Sequence, residues 1–266
     1  MADLPVPPVT TPPPRLSAHA ISHAGRKRQD NEDAFGTFVR DRLFVVADGM
    51  GGHGGGAIAS QMAVDELAAF FRKFHDDPRQ SWPYPVNRQQ SLGANLLAVG
   101  IKVANDTIRA AAAADGGRAK MACTVIALAV GDSQLSIAHA GDARAYRLRQ
   151  GELRRLTTDH SILAEMMAAR PDMAETEIAS FSHRNVVTKA LGSKPEVEPT
   201  VTIKQFQLGD CYLLCSDGLW AAVNDVEIAD IMRSTDDLEA ACQLLIDAAN
   251  DAGGPDNITA LLVRIG

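Results

Sequence analysis

Four aspartates stand where the chain leaves or enters an apolar run, each within two residues of a glycine or a proline. Asp48 follows Leu43-Phe44-Val45-Val46-Ala47. Asp142 sits in IAHAGDARAY, Asp217 in YLLCSDGLW and Asp256 in GGPDNITALLV. One aspartate at a strand end is ordinarily a turn former. Four of them, two inside identical Asp-Gly steps, point to a shared task. Carboxylates gathered without histidine or cysteine partners suit hard cations, Mg²⁺ or Mn²⁺. Two such ions about 3.5–4 Å apart clamp an in-line displacement at phosphorus, and each lowers the pKa of bound water toward neutrality.

The stretch after Asp48, within ADGMGGHGGG, carries six glycines in ten positions. Glycine loses more backbone freedom on folding than any other residue, so so many at a strand exit need a reason beyond a flexible loop. Gly49, Gly51 and Gly54 meet the G-x-G-x-x-G spacing, but that match alone is weak, and a carboxylate beside a phosphate repels it. A cation approached by bare backbone fits better. Upstream, Arg28 precedes Asn31-Glu32-Asp33, and a guanidinium fork matches phosphate oxygens. The run Arg26-Lys27-Arg28 reads equally well as a solvated basic patch.

Short apolar runs predict strands at Leu43–Ala47, Thr124–Val130, Gln134–Ala140, Ala143–Leu148, Asp210–Cys215 and Ile258–Ile265. Helical periodicity appears over about 56–75, with Leu67, Phe70, Phe71 and Phe74 on one face, and over about 91–114, with Leu92, Leu96, Val99 and Val103. A late helix over about 236–250 starts behind Thr235 or Asp236 and buries Leu238, Cys242 and Leu245. Residues 76–90 form a polar, proline-containing connector. This order, without regular βαβ alternation, predicts an α+β layered fold in which helices cover antiparallel sheets.

The 266 residues suffice for one large domain or two small ones with a sizeable core. A net charge of −7 argues against a nucleic-acid partner and fits a site that collects carboxylates. Cys211 and Cys215 lie four apart in a strand-like run, roughly 13 Å at strand rise, too far for a disulfide. No CxxC pair, no 18-residue apolar run and no signal-peptide pattern is evident, so a soluble cytoplasmic chain is expected. Residues 1–15 include a proline-rich stretch that reads as a disordered tail, with globular sequence over 16–266.

Taken in order, Arg28-x-x-Asn31-Glu32-Asp33, Ala47-Asp48-Gly49-Met50-Gly51-Gly52-His53, Gly141-Asp142-x-Arg144, Cys215-Ser216-Asp217-Gly218-Leu219 and Gly254-Pro255-Asp256-Asn257 resemble the motifs of the PPM family. These are metal-dependent Ser/Thr protein phosphatases of type 2C, here in the bacterial single-domain form, and the match spans about residues 17–266. The resemblance implies a four-layer αββα sandwich, two antiparallel sheets packed face to face and flanked by helix pairs. It implies hydrolysis of phosphoserine and phosphothreonine by a hydroxide bridging two Mg²⁺ or Mn²⁺ ions. Asp48 would bridge the ions, Gly49 would give one its carbonyl, and Asp217 and Asp256 would hold the other. Asp142 with Asp217 matches a third-metal position, Arg28 would hold the substrate phosphate, and Glu32 and Asp33 would order water. Residues about 157–190 would include a mobile flap. The implied counterparts are phosphorylated proteins and a cognate Ser/Thr kinase, with the enzyme a monomer.

Some positions depart from the family pattern. Where some members carry a general-acid histidine after the Asp-Gly step, this chain has Met50. His53 and His160 are the remaining candidates, and each reads more readily as a structural or surface histidine. Met121-Ala122-Cys123-Thr124 replaces a glycine and two threonines, where a packing change is expected. Two further readings stand beside the phosphatase. A catalytically silent module of the same fold is disfavoured because Arg28, Asp48, Asp217 and Asp256 are all kept. A different two-metal hydrolase is disfavoured because no His-Asp metal spacing occurs.

Overall fold

A computed structural model describes residues 13–51, 54–77, 79–114, 120–174, 177–178, 181 and 186–266. The chain runs β1 (Leu16–His23), β2 (Asp33–Phe38), β3 (Leu43–Met50), α1 (Gly55–Asp76), α2 (Leu92–Ala114), β4 (Ala122–Val130), β5 (Gln134–Ala140), β6 (Arg144–Arg149), β7 (Glu152–Arg155), α3 (Ile162–Ala169), β8 (Thr200–Gln205), β9 (Cys211–Cys215), α4 (Asp217–Trp220), α5 (Asp225–Ser234), α6 (Leu238–Asp251) and β10 (Ile258–Ile265). Two five-stranded antiparallel sheets result, ordered β2-β3-β4-β5-β8 and β1-β10-β9-β6-β7. Helices α1 and α2 cover the outer face of the first sheet, and α6, with α5 against it, covers the second. This is the expected four-layer sandwich.

Strand alternation divides the apolar residues among three cores. In β3, Leu43, Val45 and Ala47 pack under α1 and α2, while Phe44 and Val46 point between the sheets. In β9, Cys211, Leu213 and Cys215 meet the second helix layer, while Tyr212 and Leu214 join the inter-sheet core. With both faces covered, β4 is buried at all nine positions, so it reads as a continuous apolar run although its sheet is antiparallel. All four cysteines are buried and free, as their spacing requires.

Some expectations shift. β3 continues to Met50, pairing Asp48 with Thr124 and Gly49 with Cys123, so Asp48 lies inside the strand rather than at its exit. Leu92 is 62% exposed, but Leu96 and Val99 are buried and Val103 packs against the core, and Leu97, Ile101, Ala104 and Ile108 widen the buried face of α2. The last helix is capped by Asp237, whose carboxylate accepts from the Glu239 amide at 2.9 Å; Thr235 Oγ1 accepts from the Asp237 amide instead. β1, β2, β7, β8, α3, α4 and α5 have no counterpart in the sequence reading. β1, β7 and β8 lie at sheet edges with alanine, serine, threonine and charged residues, where propensity is weak and cross-strand pairing decides. Among the described residues no helix is long and apolar enough to cross a membrane. The proline-rich residues 1–12 lie outside the described residues.

Phe44 is fully buried between the sheets. Phe44→Ala should cost about 3–5 kcal/mol, whereas Leu208→Ala, at a 73% exposed position, should change stability by less than about 0.5 kcal/mol. Urea unfolding of both variants checks the contrast.

Candidate active site

The side of β3 that carries Phe44 and Val46 continues to Asp48, so the inter-sheet core ends on a carboxylate. Asp48 lies directly across from Asp33 of β2 and Thr124 of β4. Ser216 and Thr259, from the second sheet, both donate to Asp33 Oδ2, at 2.7 and 2.6 Å. Thr259 Oγ1 also lies 2.8 Å from Ser22 Oγ, which accepts from Asn31 Nδ2 at 2.8 Å. The two sheets are thus joined at this edge by a polar network centred on one buried carboxylate.

Above it opens a cavity of about 690 Å³. Asp30, Glu32, Asp48, Asp142, Asp217 and Asp256 line it, and Arg28 is the one cation among its described lining residues. Arg28 Nη2 donates to Asp256 Oδ2 at 2.9 Å, and this contact, foremost, raises the guanidinium's pKa.

Asn257 holds the loops in place. Its Oδ1 accepts from the Glu32 amide at 2.8 Å, and its Nδ2 donates to the carbonyls of Ala24 and Asp30 at 3.0 and 2.9 Å. The loop bearing Asp256 is thereby fastened to the loop bearing Arg28. Glycine is required at two of the Asp-Gly steps by close approach. A Cβ on Gly49 would lie 2.3 Å from the Gly56 carbonyl oxygen, and one on Gly218 would lie 2.0 Å from that of Asn257. Gly49 also donates its N–H to the Glu32 carbonyl at 3.1 Å.

Burial pushes the Asp48 carboxyl well above its ordinary pKa, and the neighbouring charges of Asp33, Asp217, Asp142 and Asp256 add to the rise. Asp217 rises through burial and then Asp256. Burial lifts Asp142 to about 7, with Asp217 next in effect. Asp33 also reaches about 7, where burial outweighs its two hydroxyl donors. The protein alone leaves these carboxylates short of positive charge.

Asp33 Oδ1 and Thr124 Oγ1 are buried without a hydrogen-bond partner. Among the described residues no three carboxylate, imidazole or thiol groups already close on one point. The site offers separated carboxylate oxygens beside the backbone of Gly49, an oxygen-only donor set that fits hard divalent ions.

A family model described as protein phosphatase 2C matches residues 21–262. The chain belongs to the protein phosphatase 2C family. The serine/threonine phosphatase stp of Listeria welshimeri is 34% identical over 256 residues, covering 94% of this chain and 96% of that protein. The protein phosphatase PhpP of Streptococcus pneumoniae is 33% identical, covering 92% and 96%. The catalytic domain of the phosphatase PstP, solved in complex with two manganese ions, matches with a TM-score of 0.79 and 31% identity over 94% of this chain and 98% of that one. Membership of this family makes the chain a metal-dependent enzyme, in keeping with the carboxylate excess.

The cleft brings together Arg28, Glu32, Asp48, Gly49, Asp142, Asp217 and Asp256, with Met50 in its wall. Asp33 lies beneath, bound to Ser216 and Thr259. His53 is outside the described residues. His160 is half-buried and bonded at both ring nitrogens, to the Gly141 amide and to Thr200 Oγ1, so it serves as a structural histidine. Sequence reasoning missed Thr124, Asn257 and Asp159 as site-supporting residues. Asn257 follows Asp256 directly and was within reach, but Thr124 becomes relevant only through pairing. Asp159 forks onto Arg144 at 3.0 and 2.7 Å, and that guanidinium lies 3.4 Å over the Trp220 ring, whose Nε1 donates to the Asp142 carbonyl.

A folded-state pKa of about 7 against an ordinary 3.8 means that folded Asp33 keeps a proton the unfolded chain releases. Its contribution to stability is present at low pH and lost as pH rises toward 7. In chelator, the Tm of Asp33→Asn relative to the parent should therefore climb between pH 5 and 8. A difference that stays flat across that range would show that Asp33 carries no such burial cost.

Proposed function

We propose that this cleft hydrolyses phosphoserine and phosphothreonine in proteins, using two Mg²⁺ or Mn²⁺ ions held by Asp48, the Gly49 carbonyl, Asp217 and Asp256. The observation that carries the reading is the set of six carboxylates around one guanidinium at the end of the inter-sheet core. When bound, the ions supply charge neutralisation for the phosphoryl oxygens and make hydroxide available near neutral pH.

The chain's own groups divide the remaining work. Asp48 and Asp217, raised by burial, would hold the ions through their carboxylates, and the ions would offset the negative charge gathered there. Arg28, half-exposed at the rim, leaves Asp256 and grips the substrate phosphate with its fork. Glu32 and Asp33 orient water within the cleft. Asn257 and the Asp33 network keep the loops in register without touching the substrate. Asp142, with Asp217, offers donors for a third ion. The described residues of the segment at about 157–190 would belong to a flap beside the cleft, which Val187 lines. Met50 carries no titratable group, so it takes no part in proton transfer. A Ser/Thr kinase acting on the same proteins is the natural counterpart, and the enzyme works as a monomer.

Asp48→Asn should lower turnover of a phosphoserine peptide by at least about three orders of magnitude while leaving the far-ultraviolet circular dichroism unchanged. Activity of the parent should vanish in EDTA and return with Mn²⁺. Turnover within tenfold of the parent for Asp48→Asn, or full activity after exhaustive chelation, would overturn the two-metal reading.

Arg28→Ala should raise KM more than it lowers kcat, because the guanidinium grips the phosphate in ground and transition states alike. Steady-state kinetics on a small phosphoester decide this, and an unchanged KM removes Arg28 from the site.

A further inference from the structure

We propose that His160 is a positioning residue for the Asp142 corner of the cleft, acting through a two-point clasp on the Gly141 peptide. The inference rests on reading Asp142 as a metal donor. His160 donates its backbone N–H to the Gly141 carbonyl at 3.0 Å, and its Nδ1 accepts the Gly141 N–H at 3.1 Å. One residue thus holds both polar groups of the glycine that immediately precedes Asp142.

The clasp is set up from three sides. An Nδ1 that accepts an amide proton carries none itself, so Nε2 bears the ring proton and donates it to Thr200 Oγ1 at 2.8 Å. The ring stacks on His139 with centroids 4.4 Å apart and planes 7° apart, and His139 is itself tied through Nε2 to the Thr158 carbonyl at 2.9 Å. Burial lowers the His160 pKa to about 3, which keeps the neutral tautomer at physiological pH. On its other flank Gly141 is wedged in place. Its φ of 116° is one that side chains rarely adopt, and a Cβ there would lie 2.4 Å from the Thr124 Cβ. The peptide before Asp142 is therefore confined between Thr124, the cross-strand partner of Asp48, and His160.

The same residue reaches the flap. The His160 carbonyl accepts the Thr188 N–H at 2.8 Å, and Ser161 bridges to Val187, which lines the cavity. The Asp142 turn and the wall formed by Val187 are thus registered on a single backbone position. A purely packing histidine would not need to satisfy the glycine on both sides.

Asparagine places an acceptor near the Nδ1 position, whereas glutamine reaches toward Thr200 and leaves the Gly141 amide unsatisfied. In metal-free protein, His160→Gln should speed Gly141 amide exchange by about fivefold, the value of one net hydrogen bond, and His160→Asn should hold it near the parent rate. Calorimetric titration with Mn²⁺ should show a comparable weakening in His160→Gln, with Asp142→Asn run alongside. If His160→Gln does not fold, Thr200→Val, which frees the ring to change tautomer, should produce the same two changes. Parent-like Gly141 exchange in the glutamine variant would overturn the proposal. So would equal losses in the asparagine and glutamine variants. Weakened Mn²⁺ binding in Asp142→Asn together with a parent isotherm in His160→Gln would refute the clasp alone. An Asp142→Asn isotherm identical to the parent would refute the metal-donor reading on which the proposal rests.

Discussion

Repulsion among carboxylates at one edge of a double sheet is the constraint around which the molecule is arranged. Asp48, Asp142 and Asp217 are driven up from their ordinary acidity mainly by burial and next by the charges of neighbouring carboxylates. Arg28 spends its guanidinium on Asp256. A cleft with this imbalance is costly to the protein alone and favourable to divalent cations. The energy needed to hold the carboxylates together comes from the apolar layers below, where Phe44, Ile126, Tyr212 and Leu261 are fully buried between the sheets.

The polar network at the site edge converts that apolar stability into geometry. Asp33 belongs to the first sheet, while Thr259 belongs to β10 of the second and Ser216 directly follows β9, and their hydroxyls meet on one oxygen of Asp33. Asn257 performs the same service for the loops, taking one amide and offering two donors to carbonyls more than 200 positions away in sequence. Hydrogen bonds of this kind contribute modestly to stability, but leaving their groups unpaired in a buried site would be expensive. The arrangement is therefore specified more sharply than it is stabilised. Glycines at 49 and 218 complete it, because backbone from distant segments passes where a Cβ would stand.

Much of this was legible in the chain. The central strands were visible because they are covered on both faces and so read as unbroken apolar runs. The four aspartates were visible because each interrupts or borders such a run beside glycine or proline. The long helices were visible through their phenylalanine and leucine spacing, with only Leu92, near the start of α2, meeting solvent. The edge strands were not legible. Their alanine, serine and threonine positions acquire strand character only through pairing, as when β1 lies along all eight residues of β10.

By itself, the sequence determined the layered class, the gathering of hard oxygen donors and the kind of chemistry such donors support. These follow from residue type and short-range spacing, which are local properties. Only the tertiary structure decided that Asp48 sits within a strand opposite Asp33 and Thr124, that Arg28 rests on Asp256, and that His160 grips Gly141 instead of facing the cleft. Those relations depend on strand register and on loops that meet from opposite ends of the chain. The register is set by which alternating side chains the three cores bury, and that is a property of the packed molecule as a whole.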